Sequence, residues 1–129
     1  MRKVFDSSAV LAFLYGEAGS ETVRADLPEG VLCAVNAAEV LTVLVRDGVP
    51  LPEAGLALQK TGLIILDFSS RHAAKAAELS SPALLRRGIS LGDRACMAVS
   101  LTEELPAVTA DREWRALAIP GLKIELIRA

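Results

Sequence analysis

Five short apolar runs, separated by helix-patterned sequence, set the tightest limit on what this chain can fold into. Lys3-Val4-Phe5, Val31 to Val35, Leu63-Ile64-Ile65-Leu66, Ala107-Val108-Thr109 and Leu122 to Ile127 all read as strands. Except in the fifth, their apolar residues run on rather than alternate, the pattern of parallel strands covered on both faces. Between them, Ser8 to Tyr15 carries Val10, Leu11 and Leu14 at helical spacing and stops at Gly16. Further helices are expected near Glu21–Leu27, over Ala37–Arg46, from Pro52 to near Gly62, over Arg71–Arg87 with a kink at Pro82, and over Leu91–Glu103. Leu63 to Leu66 is expected to be a buried strand. Strands alternating with helices give a three-layer α/β/α sandwich around a mostly parallel sheet of about five strands. A chain of 129 residues fits one domain, residues 1–129.

Composition narrows the chemistry. The net charge of −2 provides no global basic field to recruit nucleic acid, so any contact with a polyanion has to be local. His72 is the only histidine, which excludes a zinc site built from several histidines of one chain. It follows Ser70-Arg71 at a helix start, where a surface position is expected. Cys33 and Cys96 sit inside apolar runs and read as buried thiols. No apolar stretch approaches the ~20 residues of a membrane span. The N-terminus, Met1-Arg2-Lys3-Val4-Phe5-Asp6, reaches a charge too soon for a signal peptide, so a cytoplasmic protein is expected. Mean hydropathy is +0.40, rich enough to expect apolar surface set aside for a partner.

Ligands of parallel sheets bind beyond the carboxyl ends of the strands, where strand order reverses. Asp6 follows the first strand, Asn36 the second, and Asp111 the fourth. Glu39 is expected in the first turn of the helix after Asn36, and Asp93 in the first turn of the helix feeding the fourth strand. Each acid alone fits a helix cap: Ser90-Leu91-Gly92-Asp93 and Asn36-Ala37-Ala38-Glu39 both resemble capping boxes. Together they suggest more. Glu39 and Asp93 head strongly apolar helices, and carboxylates entering a packed edge side by side repel unless a cation neutralises them. An all-oxygen set without histidine or cysteine suits Mg²⁺ or Mn²⁺, which can activate water and steady the leaving oxygen of a phosphodiester. Asp67 also ends a strand. If that strand is an outer one, Asp67 lies away from the switch point and reads as a helix cap.

The segments Val4-Phe5-Asp6-Ser7-Ser8-Ala9, Asn36-Ala37-Ala38-Glu39-Val40, Ser90-Leu91-Gly92-Asp93 and Thr109-Ala110-Asp111-Arg112-Glu113-Trp114 occur in an order and spacing that resembles the PIN-domain nucleases. Within that family the chain is similar to the VapC-like toxins of toxin–antitoxin pairs, over essentially its whole length. The resemblance implies metal-binding acids at Asp6, Glu39, Asp93 and Asp111. It also implies an Mg²⁺- or Mn²⁺-dependent endoribonuclease, a homodimer, and a small antitoxin covering the active-site groove. Where the family often carries a second aspartate and an aromatic residue, this chain has Glu113 and Trp114. A fifth-carboxylate role for Glu113 stays open, and Trp114 reads as a packing residue.

Ser7 and Thr109 are candidates to orient a carboxylate or water, though ordinary turn hydroxyls would look the same. Arg94, Arg112, Arg86 and Arg87 are candidates to meet RNA phosphates, and solvated helix ends explain them equally well. Two other functions compete. A phospho-receiver signalling domain would use Asp67 as phosphoacceptor, but Asp6 lacks an acidic neighbour and Lys123 begins its strand rather than ending it. A PIN-like module that only binds RNA or a partner is the other; four intact acids weigh against it. No glycine-rich phosphate loop follows any strand.

Overall fold

The computed structural model describes residues 2–129; Met1, part of the N-terminal stretch read above, lies outside the described residues. Five parallel strands, β1 (Val4–Phe5), β2 (Val31–Cys33), β3 (Ile64–Leu66), β4 (Ala107–Thr109) and β5 (Ile124–Leu126), form one sheet in the order β3-β2-β1-β4-β5. The chain builds outward from β1 to β3, then returns to lay β4 against the other side of β1. Strand order therefore reverses between β1 and β4, which opens the crevice of a doubly wound sheet at their carboxyl ends.

The helices are α1 (Ser7–Leu14), α2 (Ser20–Arg24), α3 (Ala34–Arg46), α4 (Leu51–Lys60), α5 (Ser70–Glu78), α6 (Pro82–Arg86) and α7 (Leu91–Glu103), followed by a 3₁₀ helix over Arg112–Leu117. Alternate strand side chains feed two cores, as the pleat requires. Phe5, Leu32 and Val108 join Val10, Val23, Val40, Leu44 and Leu58 on one face. Val4, Val31, Cys33 and Ala107 join Cys96, Met97, Val99 and Trp114 on the other. The expected α/β/α sandwich with a five-stranded sheet is the observed fold. Both cysteines are buried and free, and Trp114 is a packing residue. Among the described residues no helix is long and apolar enough to cross a membrane.

Four local expectations need correction. β3 is an edge strand with a neighbour on one side only, and Ile64 and Ile65 are 40% and 46% exposed rather than buried. The helix expected over Arg71–Arg87 is two helices. Pro82 has no N–H to donate and disfavours helical backbone at Ser81, whose hydroxyl instead caps α6 by accepting from Leu84 N. Helix α3 starts at Ala34, directly after Cys33, so Asn36 is in its first turn and Glu39 in its second. The Asn36–Glu39 segment is therefore not a capping box.

His72 is the fourth correction, being buried rather than at the surface. Its Nδ1 accepts from Ser69 N at 3.0 Å, completing a capping box with Ser69, and its Nε2 meets Glu103 of α7 at 3.2 Å. Ser69, not Asp67, caps α5. Replacing His72 with alanine removes a cap, an inter-helix hydrogen bond and packing volume. His72→Ala is expected to lower stability by roughly 2–3 kcal/mol in urea unfolding.

Candidate functional site

The switch point is closed by hydroxyls. Asp6 stands at the N-cap position of α1 but makes no capping bond with its side chain. Its Oδ2 accepts instead from Ser8 Oγ at 2.7 Å and from Thr109 Oγ1 at 3.0 Å. Ser8 Oγ in turn accepts from Ala110 N, and Thr109 Oγ1 from Asp111 N. These bonds tie the end of β1 to the end of β4. Thr109 sits where the sequence placed an orienting hydroxyl. The other orienting hydroxyl belongs to Ser8 rather than Ser7, because one further residue brings the side chain of the α1 first turn back over β4. Asp6 is only 3% exposed, and burial pushes its carboxyl up to about 6. The Ser8 and Thr109 bonds oppose that rise, while the charges of Asp93 and Glu39 add to it.

Asp93 lies in the first turn of α7 and takes part in a complete capping box. Its Oδ2 accepts from Ser90 N at 2.9 Å, and its own N–H donates to Ser90 Oγ at 3.1 Å. Burial raises its carboxyl; the Ser90 bonds pull it down, and the Asp111 and Glu39 charges push it further up. Asp111 caps the 3₁₀ helix, its Oδ1 accepting from Glu113 N at 2.9 Å. Glu39 reaches across from α3 to α7, its Oε1 accepting from Asn36 Nδ2 at 2.9 Å. Its carboxylate lies so close over Gly92 that a Cβ built there would collide with it.

Capping and clustering thus coexist. All four acids share one electrostatic neighbourhood, since Asp6 feels Asp93 and Glu39, and Asp93 feels Asp111 and Glu39. Each uses one oxygen on a protein donor: Oδ2 of Asp6, Oε1 of Glu39, Oδ2 of Asp93 and Oδ1 of Asp111. The other oxygen of each carries no protein hydrogen bond among the described residues. As the side chains stand, no group of three or more carboxylate, imidazole or thiol side chains among the described residues is arranged to hold a metal ion. The donor chemistry nonetheless fits a hard divalent cation: four carboxylates, one oxygen apiece to offer, and mutual repulsion for a cation to relieve.

The arginines divide. Arg94, a candidate to meet RNA phosphates, extends to α5 and donates Nη1 to Ala76 O at 3.1 Å, which braces two helices. Arg86 and Arg112 are exposed. Arg87 stands 3.8 Å from Glu113 across a small cavity that Asp93 and Asp111 also line. Glu113 has a 76% exposed side chain and its closest charged partner is that arginine. Beside Asp111 opens a polar cleft of about 380 Å³, lined also by Arg112, Glu113 and Arg128. Asp67 follows edge strand β3, with β2 between it and β1, so the phosphoacceptor of a receiver domain would lie off the switch point.

Sequence reasoning missed Ser8 and Gly92. Gly92 carried a legible signal: glycine in a helix costs about 1 kcal/mol against alanine, and one placed beside a cap often marks a close approach.

The family model describing the PIN domain matches residues 3–120. This chain belongs to the PIN-domain family. No curated protein matches it at a significant level. Among solved structures, a toxin–antitoxin complex from Klebsiella pneumoniae is 17% identical, with a TM-score of 0.75 and 97% of each chain covered. VapBC2 from Rickettsia felis, bound to a DNA fragment from its promoter, is 19% identical, with a TM-score of 0.72 and 98% of each chain covered. VapC20 of Mycobacterium tuberculosis, a toxin that cleaves the sarcin–ricin loop, is 16% identical, with a TM-score of 0.69 over 95% of this chain and 99% of that one. The PIN domain described here shares their fold over nearly its whole length.

Proposed function

We propose that this PIN domain is an Mg²⁺- or Mn²⁺-dependent endoribonuclease and the toxin of a VapBC-type pair. The observation that carries the reading is that four carboxylates near the switch point feel one another's charge, each with one oxygen committed to the protein. Asp6, Glu39, Asp93 and Asp111 would hold the cation, which when bound would activate water and neutralise charge building on the departing oxygen. Ser8 and Thr109 fix the carboxylate plane of Asp6. The cap bonds of Asp93 and Asp111 hold those two acids to the starts of their helices. Arg112 and Arg87, with Arg86, would meet phosphates of the RNA strand. Solved structures of similar chains in toxin–antitoxin complexes support an antitoxin partner. The exposed Val45, Leu51, Leu56 and Ile65 provide apolar surface for an antitoxin or a second copy of the chain.

Purified protein incubated with a structured RNA pool is expected to cleave single-stranded or loop segments when Mg²⁺ or Mn²⁺ is present and to stop in EDTA. Cleavage that survives EDTA, or none across a broad pool, would contradict the reading. Sedimentation is expected to show a dimer; a monomer at every concentration would remove that part of the proposal.

A further inference from the structure

Asn36 is fully buried, yet its amide is only half satisfied. Nδ2 donates twice, to Glu39 Oε1 at 2.9 Å and to the backbone carbonyl of Gly92 at 3.0 Å. Oδ1 has no partner. A rotated amide would not cure this, because it would turn Oδ1 against two acceptors, the Glu39 carboxylate and the Gly92 carbonyl. The orientation is therefore set by the two donor bonds, and an acceptor is left bare in the core to keep them. A buried unpaired acceptor costs about 1–3 kcal/mol, which a residue serving stability alone has no reason to retain.

The two bonds have a common consequence. One leads to the Glu39 carboxylate on α3, and the other to the carbonyl one residue before Asp93 on α7. Gly92 completes the arrangement from the other side, since its missing side chain is what lets Glu39 lie against α7. We propose that Asn36 is a positioning residue that locks Glu39 to the first turn of α7. Glu39 and Asp93, carried by helices on opposite faces of the sheet, are then presented as one rigid pair. This role rests on the reading of Glu39 and Asp93 as cation-holding acids.

The test is a set of thermal melts over a range of Mg²⁺ concentrations, on the wild type, Asn36→Ala, Glu39→Gln and the double variant. Glu39→Gln keeps an oxygen for Asn36 to donate to. Asn36→Ala is expected to raise the Mg²⁺ concentration for half-maximal stabilisation about tenfold or more, the usual effect of removing a hydrogen-bond partner of a metal ligand. In the Glu39→Gln background, Asn36→Ala is expected to add little, because the residue acts through Glu39. A purely structural asparagine would lower the melting temperature in EDTA and leave the Mg²⁺ midpoint unchanged, which overturns the proposal, as does full additivity in the double variant. Should Asn36→Ala not fold, Asn36→Ser retains a single donor, and an unchanged midpoint in that protein overturns the proposal equally. A wild type without any Mg²⁺ response overturns the functional reading itself, a result distinct from the other two.

Discussion

Asp6→Asn is expected to make the metal-free protein more stable at pH 7 while abolishing RNA cleavage. The carboxyl of Asp6 is raised from 3.8 to about 6 in the folded protein, first by burial and then by the charges of Asp93 and Glu39. A raised acid binds its proton more tightly folded than unfolded, so the folded state holds the extra proton between about pH 4 and 6. Stability of the wild type therefore falls as pH rises through that window, and the loss is complete above the folded value. The interval corresponds to roughly 3 kcal/mol at neutral pH. Asparagine removes the charge and can keep both hydroxyl bonds, because Ser8 and Thr109 donate to the same oxygen. Bonds to a neutral amide are weaker than to a carboxylate, so about 3 kcal/mol is an upper bound on the gain. Urea unfolding in EDTA from pH 4 to pH 7 measures this directly: the wild type should weaken across the window and the variant should change less. A variant less stable than wild type at pH 7 would mean the hydroxyl bonds outweigh the buried charge.

Gly92→Ala is expected to separate stability from activity in a different way. The new Cβ would collide with the carboxylate of Glu39, the far end of a flexible side chain, and not with backbone. Glu39 has to swing away and give up the bond from Asn36 Nδ2, a loss of about 1 kcal/mol, while alanine favours a helix over glycine by about 1 kcal/mol. The two effects offset, so stability should change little. Activity should fall by about 100-fold or more, because misplacing one reacting or ligating group by ~1 Å is enough for that. Melting curves beside single-turnover RNA cleavage would show both effects. Normal cleavage by a well-folded Gly92→Ala protein would remove Glu39 from the machinery.

The layered fold was legible because long-range order here follows from simple patterning: apolar strands covered on both faces leave few alternatives to an α/β/α sandwich. The places of Asp6, Asp93 and Asp111 followed from the same logic, since residues just past strand ends or at helix starts gather where strand order reverses. Local boundaries were harder. The β-branched run through Val35 looks like strand, yet α3 begins at Ala34, so Glu39 lies in the second turn and cannot be a cap. Edge position made β3 half exposed although its sequence is uniformly apolar, because burial depends on strand order and not on the strand itself. His72 looked like a surface residue from its polar neighbours; its burial comes from α7 packing over α5, a contact the local sequence does not encode. Arg94 adjoins Asp93 in sequence, but adjacent residues on a helix point about 100° apart, and its guanidinium goes to Ala76 instead. Asn36 was visible as a residue, but its unpaired acceptor and double donation exist only in three dimensions.

The most direct measurement of the central claim, that the four acids form one divalent-cation site, is calorimetric titration of Mn²⁺ into the wild type, Asp93→Asn and Asp67→Asn. A cation site predicts that wild type and Asp67→Asn bind alike, because Asp67 ends edge strand β3 away from the crevice, and that Asp93→Asn loses most of its affinity. Equal Mn²⁺ binding by Asp93→Asn and wild type, or no binding by the wild type, would contradict the cation site and leave Asp93 and Asp111 as helix caps.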